Sequence, residues 1–293
     1  MQHAFPKLYA LENRYGGLIV GALRSRKERK KRNETAKNIA RLFSFDDGMQ
    51  VFPKALAAVL GRSLHLNTRV EQIIPQKVGD RPLYTIRYTR DGTTSTMEAR
   101  HVILSVPAYA TAEIIRGIDP ETANVLKSIY YPPVAEIFLG YRDSVIGTKL
   151  DGFGFLVPGR EERKILGCIW SSVIFQNRAP AGHAALTVFA GGARQPEMAS
   201  LEEKELLGLV RQDLADLMNV RGLPEISKII RWGKAIPQYT MGYGKILQAI
   251  DRFEENFRGA YICSNYRRGI AVGDCVMNAK RTAEIIAGSQ GAV

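Results

Sequence analysis

The sequence is poor in the side chains that build metal sites and disulfide frameworks. Its three cysteines form no CxxC pair, and its four histidines are widely scattered. We therefore predict no metal centre and no disulfide framework, and free cysteines favour a reducing, cytoplasmic setting. No run of about 18 apolar residues is present, which predicts no membrane-spanning helix. The first residues, MQHAFPKLYALENRYGG, also lack the charged start and apolar core of a signal peptide.

Motifs of hydrolytic catalysis are absent as well. The sequence has no nucleophile elbow, no HExxH helix and no paired acidic motif. No side chain can therefore be named from the sequence as a catalytic acid or base, and the catalytic residues stay unknown. No RNA- or DNA-binding motif is present either, so we expect no nucleic-acid partner.

Positive charge is concentrated in one segment. The chain carries a net charge of +12, and Arg24 to Arg41 alone hold nine basic and two acidic residues. Such a cluster is typical of a solvent-exposed helix face or of a mobile loop. It also suits a surface of anionic lipid, where each cation contributes about 1 kcal/mol. A nucleic acid fits less well, because no aromatic residues are interleaved with the charges.

The first part of the chain predicts helices followed by strands. Residues 5–42 predict helices with a junction at Gly16-Gly17, and residues 53–60 predict a short helix that Gly61 ends. Alternation predicts a strand at 63–74, and Asp91-Gly92 predicts a hairpin. Residues 101–107 are short and apolar, as in a buried parallel strand, and a helix is predicted at 108–116.

The pattern changes after residue 133. Strand-like segments occur at 136–141, 152–158, 165–173, 184–192 and 226–232. They surround one long helix predicted at 200–217, which indicates an antiparallel sheet with a covering helix. Residues 260–287 return to a strand, a loop and a helix. A chain that leaves one sheet, builds a second and comes back predicts two domains, the first of them discontinuous.

The closing stretch YICSNYRRGIAVGD places small residues in front of a helix. Bare backbone at Gly269 and Gly273 would let a flat or charged ligand come close. Free N–H groups at Ala271 and Val272, with the positive end of the helix dipole, would favour negative charge there. An ordinary tight turn explains the glycines equally well, and Asp274 can simply complement the dipole. Both interpretations stay open.

Five stretches, taken in order, carry a family resemblance. They are FPKLYALENRYGGLIVGAL, FDDGMQVFPKALAAVL, GFGFLVP, WGKAIPQYTMGY and NYRRGIAVGDCV. They resemble the flavin-dependent protoporphyrinogen/coproporphyrinogen oxidases of haem biosynthesis, within the flavin amine-oxidase superfamily. The resemblance covers nearly the whole chain. It implies an α/β (α+β) fold, with an incomplete FAD-binding domain of the flavin amine-oxidase type and a substrate domain with a mostly antiparallel sheet and covering helices.

The resemblance also implies domain boundaries. They are 1–42 for a helical segment of a substrate- or membrane-facing domain, 43–116 for a first part of the FAD-binding domain, 117–232 for the substrate-binding domain and 233–293 for the C-terminal part of the FAD-binding domain. The family begins with a strand and a G-x-G-x-x-G turn that holds the FAD pyrophosphate, and the sequence contains no such motif. We therefore expect a C-terminal fragment or truncated form that lacks the main cofactor clamp.

For the cofactor, FAD, the resemblance assigns residues in three segments. Val70 would lie against the adenine end, and Trp232 and Pro237 would lie near the flavin. The isoalloxazine and ribityl chain would pass Asn265, Gly269, Ile270, Ala271 and Val272. As residues alone, Val70 and Trp232 are equally typical of a protein core.

For the substrate, a porphyrinogen, the resemblance implies an apolar slot. Phe153, Gly154 and Leu156 would form one wall and Phe189 another. Burying each large side chain against a flat ring contributes about 1.5–3 kcal/mol. Without the resemblance, all four residues are typical of a core. An arginine would be expected to pair with the substrate propionates, and the sequence does not identify one for this role.

The implied activity is FAD-dependent, oxygen-linked oxidation of a porphyrinogen to a porphyrin, in which the cofactor carries the redox chemistry. Two alternatives stay open. One is another flavin amine-oxidase-type oxidoreductase, such as a desaturase or an amine oxidase. The other is a non-catalytic basic protein that binds a membrane or a partner. We expect a cytoplasmic protein, peripheral on the inner face of the membrane through Arg24–Arg41, and the resemblance specifies neither the preferred porphyrinogen nor an oligomeric state.

Overall fold

The computed structural model describes residues 6–17, 19–20, 43–76 and 81–290. The described helices are α1 (Pro6–Tyr15), α2 (Val51–Leu60), α3 (Ala108–Ile115), α4 (Pro120–Lys127), α5 (Ser171–Ile174), α6 (Glu203–Met218), α7 (Gly244–Asn256) and α8 (Val272–Gln290). The described strands are β1 (Thr68–Pro75), β2 (Tyr84–Arg90), β3 (Thr93–Ala99), β4 (Val102–Leu104), β5 (Val134–Arg142), β6 (Gly154–Leu156), β7 (Ile165–Ile169), β8 (His183–Gly191), β9 (Ile226–Trp232) and β10 (Ala260–Ile262). The basic cluster Arg24–Arg41 lies outside these residues. Within them, no helix is both long and apolar enough to cross a bilayer.

The chain forms two units, each built from separated segments. Over its described residues, unit 1 is Met1–Arg41, Arg62–Tyr130 and Pro237–Val293, and unit 2 is Leu42–Gly61 and Tyr131–Ile236. These limits differ from the sequence boundaries at 116/117 and 232/233. Helix α4 packs against α3 and α7, and this packing extends unit 1 to Tyr130. The functional roles given to the four segments stay predictions.

Unit 1 contains a three-stranded antiparallel sheet and a parallel pair of strands. The order of the first sheet is β1-β2-β3, and Asp91 and Gly92 form the β2–β3 turn with φ angles of 49° and 78°. Positive φ at both central residues is what an Asp-Gly turn supplies, and the predicted hairpin is confirmed. Strand β4 pairs in parallel with β10, with Val102 opposite Ala260, which confirms the predicted parallel strand. Strand β1 begins at Thr68, later than predicted.

Unit 2 is centred on a five-stranded antiparallel sheet in the order β6-β7-β8-β5-β9. Helix α6 covers one face, because Leu206, Val210 and Leu214 recur at helical spacing and pack with the buried side chains of β5. Buried and half-buried residues alternate along β5, so every second side chain points away from α6. The predicted antiparallel sheet with a covering helix is confirmed, and one face of that sheet is left open.

Other elements also differ from the sequence prediction, and helix α4 is absent from it. The strand predicted over 165–173 ends at Ile169, and Ser171–Ile174 form a helical turn held by a 2.8 Å hydrogen bond between the hydroxyls of Ser171 and Thr187. Helix α7 is absent from the prediction, although its buried residues recur at the spacing of an amphipathic helix. Those residues are Ile246, Ala249, Ile250 and Phe253.

Candidate functional site

A cavity of about 750 Å³ opens on the face of the unit 2 sheet that α6 does not cover. Its volume lies within the ~300–1,000 Å³ typical of small-molecule sites, and its wall is almost entirely apolar. The four residues predicted for the substrate all line it: Phe153, Gly154, Leu156 and Phe189. The fold therefore brings Phe189 on β8 into the same cavity as the three residues of the 153–156 segment.

A row of paired residues crosses the open face of the sheet. Its members, in order, are Leu156, Gly167, Phe189, Glu136 and Ile230. Gly167 is buried, and a Cβ at this position would lie 2.5 Å from the carbonyl oxygen of Phe155 and 3.1 Å from Leu156 Cδ2. Glycine at this position lets β6 pack closely against β7, with the large apolar side chains of Leu156 and Phe189 on the neighbouring strands.

Gly154 has a steric reason to be glycine. Its φ angle is 129°, and a Cβ at this position would lie 2.0 Å from the carbonyl oxygen of Cys168. Glycine alone allows β6 to approach β7 this closely in such a conformation. The approach places Phe153 and Leu156 at the rim of the cavity, where they are 53% and 86% exposed.

Glu136 is the one carboxylate among the described residues that line the cavity. The indole Nε1–H of Trp232 donates a hydrogen bond to Glu136 Oε2 at 3.2 Å. Trp232 is predicted for the cofactor, and the structure places it in the same cavity as the predicted substrate residues, half exposed. Pro237, also predicted near the flavin, is buried at the point where the chain enters unit 1. Sequence reasoning missed Glu136, although it is the only acidic residue of β5.

Cys168 borders the cavity, but its side chain belongs to the hydrophobic core that packs against α6. Burial raises the pKa of its thiol to about 12, so the group stays protonated at neutral pH. A nucleophile needs a lowered pKa or a neighbouring base. Cys168 therefore supplies no nucleophile to the cavity.

A second concave site lies in unit 1, at the carboxyl ends of the parallel strands β4 and β10. The groove has a volume of about 450 Å³, and its walls come from both strands, the loops that follow them and α8. Ligands of open α/β sheets bind outside the carboxyl ends of the strands. The polar lining residues are Ser105, Ser264, Asn265 and Thr282. Of these, Asn265 is predicted for the cofactor, whereas Ser264 beside it and Ser105 and Thr282 from other segments are not predicted.

The loop before α8 is held in place by hydrogen bonds. The hydroxyl of Tyr239 donates to the carbonyl oxygen of Asn265, and the amide of Gly269 donates to that hydroxyl at 3.2 Å. A Cβ at Gly269, where φ is 133°, would lie 2.6 Å from Asp274 Oδ2. The fold itself thus explains Gly269: its amide has a protein partner, and its missing side chain makes room for Asp274.

The other predicted cofactor residues lie at the start of α8 and on β1. Ile270 is half-buried, whereas Ala271 and Val272 are exposed. A Cβ at Gly273 would meet nothing within 4 Å, so space lies beside the first turn, whose amides have no partner within the helix. Val70 lies on β1 opposite Tyr88 and is absent from the lining of the groove.

Arg267 anchors the same loop to α7. Its guanidinium bonds Asp251 Oδ1 at 2.6 Å and Glu254 Oε1 at 2.5 Å, and its side chain is only 12% exposed. Burial lowers the pKa of Arg267, but the hydrogen bonds and negative charges of Glu254 and Asp251 outweigh burial and leave that pKa raised. Arg267 is therefore a structural cation with both of its charged partners in the fold.

The groove fits one part of FAD. Hydroxyl and amide groups of Ser105, Ser264 and Asn265 suit a polyhydroxylated chain, and the open start of α8 suits a negatively charged group. The sequence contains no G-x-G-x-x-G turn, so the pyrophosphate clamp of a dinucleotide site has no counterpart in this chain.

Comparison with known proteins gives a consistent match over nearly the whole chain. The family model described as flavin containing amine oxidoreductase matches residues 1–287. Protoporphyrinogen oxidase 2 of Arabidopsis thaliana is 28% identical over 302 residues, which cover 98% of this chain and 59% of that protein. Mitochondrial protoporphyrinogen oxidase of Nicotiana tabacum is 31% identical over 306 residues, covering 98% and 60%. Coproporphyrinogen III oxidase of Bacillus subtilis is 23% identical over 282 residues, covering 96% and 58%.

A solved structure shares the fold. A protein from Exiguobacterium sp. 255-15, provisionally named a protoporphyrinogen oxidase, superposes with a TM-score of 0.72 at 21% identity, over 96% of this chain and 58% of that one. The chain spans about three fifths of the length of the relatives it matches. The predicted fold class is confirmed, and the chain belongs to the flavin containing amine oxidoreductase family.

Proposed function

We propose that the chain supplies the substrate cavity and part of the FAD site of an enzyme that oxidises a porphyrinogen to a porphyrin, with dioxygen as the electron acceptor. The observation that carries the proposal is the apolar cavity on the open face of the unit 2 sheet, where all four predicted substrate residues meet. The names of the plant and bacterial relatives support a porphyrinogen as the occupant.

The residues of the chain act by binding and orientation. Phe153 and Leu156 at the rim and Phe189 on β8 present apolar surface to a macrocycle, and glycines at 154 and 167 let β6 pack closely against β7 to form this wall. An apolar wall also keeps water away from the reacting carbon. When bound, FAD would supply the redox chemistry, which converts a porphyrinogen to a porphyrin in successive two-electron steps. In unit 1, Asn265, Ser264 and the first turn of α8 would hold part of it.

Binding and turnover of coproporphyrinogen test the proposal. The full chain is titrated anaerobically with coproporphyrinogen III, and heat is measured by calorimetry. Replacing Phe189 by Ala removes one wall and should weaken binding about tenfold or more. Leu223→Ala, an exposed apolar residue of unit 2 outside the cavity, is the matched control and should leave binding unchanged. Added FAD and air should then release fluorescent porphyrin if the chain holds the cofactor. A wild-type chain that binds no macrocycle contradicts the proposal.

A second candidate, oxidation of an amine, is favoured by one observation. Glu136 and Trp232 place a carboxylate next to an aromatic ring, and such a pair can hold an ammonium group by charge and by cation–π attraction. Titration with primary alkylamines separates the candidates. Tight amine binding without macrocycle binding would favour this alternative.

We also propose that the protein is cytoplasmic and attaches to the inner face of the membrane through Arg24–Arg41. The nine basic residues of this segment support the proposal, because each cation near an anionic surface contributes about 1 kcal/mol. Sedimentation with vesicles that contain phosphatidylserine tests it. A variant with Lys27, Arg29, Lys30 and Lys31 changed to Gln should lose binding, and vesicles of phosphatidylcholine alone should bind neither protein. Equal sedimentation of both proteins with anionic vesicles would refute the role of the cluster.

A further inference from the structure

Building on the proposed function, we infer that Glu136 is a specificity residue that accepts hydrogen bonds from the pyrrole N–H groups of a porphyrinogen and thereby favours the reduced macrocycle over the planar porphyrin. Three observations carry this inference: the place of Glu136 in the cavity, the partner it has there and the charge it brings. The chemistry of the two macrocycles then decides which of them the carboxylate can recognise.

Glu136 lies in the middle of the open sheet face. Phe189 on β8 is its neighbour on one side and Ile230 on β9 on the other. The residues before and after it, Ala135 and Ile137, are fully buried on the side that α6 covers. The side chain of Glu136 therefore points to the opposite face and lines the cavity, where its carboxylate can contact a ring that lies on the middle of the sheet.

The carboxylate of Glu136 has acceptor capacity to spare. Trp232 donates one hydrogen bond to Oε2, and no described residue donates to Oε1. Within the described residues, no Lys, Arg or His forms an ion pair with Glu136. A carboxylate beside apolar walls is stabilised by added N–H donors, because hydrogen bonds to a charged acceptor are stronger than those between neutral groups. The cavity therefore suits a ligand that carries N–H groups at the centre of its ring system as well as polar groups at its periphery.

A porphyrinogen provides such donors and a porphyrin does not. Its four pyrroles are joined by saturated carbons, so the rings can tilt and direct their N–H groups toward one face. A single acceptor below that face can bind several of them. In the porphyrin, conjugation holds the rings in one plane, and the remaining N–H groups point into the centre of the ring. Glu136 would thus bind the substrate and release the product.

The charge of Glu136 also orients the substrate. Propionate groups on the macrocycle carry negative charge, which a carboxylate repels in a poorly hydrated site. The macrocycle is then held with its nitrogen face over Glu136 and its propionates away from it, toward solvent or a cation.

Paired titrations test the inference. Coproporphyrinogen III, kept reduced and anaerobic, and coproporphyrin III carry the same side groups and differ in the ring. Calorimetry of the full chain gives the affinity for each. Glu136→Leu should weaken binding of the porphyrinogen at least about tenfold and change binding of the porphyrin less than about twofold. Glu136→Gln, which keeps a carbonyl acceptor, should fall between wild type and Glu136→Leu. Glu205→Leu on the exposed face of α6 removes the same charge far from the cavity and should change neither affinity.

The outcomes separate this inference from the proposed function. If the wild type binds neither macrocycle, both fall. If it binds both and Glu136→Leu leaves the ratio of the two affinities unchanged, the inference alone is wrong. If a primary amine binds the wild type and Glu136→Gln abolishes that binding, the carboxylate is an ammonium site and the inference is again overturned.

Discussion

The hydroxyl of Tyr239 donates a hydrogen bond to the carbonyl oxygen of Asn265 at 2.9 Å. The same hydroxyl accepts a hydrogen bond from the amide of Gly269, so one side chain connects both ends of the loop from Asn265 to Gly269. Stacking fixes the ring, since the centroids of Tyr239 and Tyr243 are 4.3 Å apart. The shape of the groove wall in unit 1 therefore depends on a side chain from the segment before α7.

Removing this hydroxyl should loosen the loop. In Tyr239→Phe the stacked ring is kept, but the Asn265 carbonyl and the Gly269 amide lose their shared partner. We expect a loss of about 1–2 kcal/mol in the free energy of unfolding and weaker binding of FAD. Denaturant titration and flavin fluorescence titration measure the two effects. Tyr88→Phe on β2 removes a hydroxyl in a different sheet and should change neither. An unaltered FAD affinity in Tyr239→Phe would show that the loop does not shape the site.

Two glycines near the start of α8 should respond in opposite ways to alanine. Gly269→Ala places a Cβ 2.6 Å from the Asp274 carboxylate at a φ of 133°, and should destabilise the protein by about 1–3 kcal/mol or more. Gly273→Ala meets open space in a helix, where alanine is favoured over glycine by up to about 1 kcal/mol. We expect Gly273→Ala to keep or raise stability and to weaken FAD binding, because its methyl group would occupy space at the proposed site. Thermal unfolding and flavin titration check this, and FAD binding equal to wild type in Gly273→Ala would exclude close contact at that turn.

The buried thiol of Cys168 should make the protein sensitive to alkali. Its pKa is raised to about 12 by burial, against an ordinary value of 9.0, so the unfolded chain releases this proton first as pH rises. Stability linked to this group is complete below pH 9 and falls as pH increases from 9 toward 12, by at most about 1.4 kcal/mol per pH unit. Cys168→Ala should therefore lose less stability than wild type between pH 7 and pH 10.5, measured by urea titration at each pH. Parallel losses in the two proteins would contradict the assignment.

The ion pairs of Arg267 should stabilise the protein much more than the ion pair of Arg142. Arg267→Met leaves Asp251 and Glu254 without their buried cation, and we expect a loss of about 3 kcal/mol. Arg142 pairs with Glu225 at the surface, where both side chains are largely exposed, so Arg142→Met should cost less than about 1 kcal/mol. Urea titrations at low and high salt compare them, and similar small losses would show that burial adds nothing to the Arg267 pair.

Local chemistry explains which parts of the fold the sequence predicts. Asp91-Gly92 predicts its hairpin because Asp and Gly are residue types that readily adopt the two consecutive positive φ angles of the turn. The long helix of unit 2 follows from the spacing of Leu206, Val210 and Leu214, which any helical pattern reveals. Each of these signals is complete within a short stretch of chain.

The contents of the two sites follow from tertiary packing, which local patterns do not carry. Glu136 lines the cavity because α6 covers the opposite face of β5. The sequence of β5 alone does not show which of its two faces a helix covers. Trp232 joins the same cavity through the pairing of β9 with β5. In the groove, Ser105 and Ser264 meet because β4 and β10 are neighbours in parallel. The family resemblance supplied Phe153, Leu156 and Phe189, whose shared lining the structure shows, while their role toward a substrate stays a prediction.

The pairing of Val102 with Ala260 has a consequence for how the protein is made. These residues are more than half the chain apart, and the whole of Tyr131–Ile236 is synthesised between them. All strands of the five-stranded sheet and its covering helix leave the ribosome before β10 exists. We expect unit 2 to fold first. Until β10 is synthesised, β4 has an unpaired edge, and strands with unpaired edges are prone to associate wrongly. We therefore expect the pairing of β4 with β10, which completes unit 1, to be the slow step of folding and the one most prone to error.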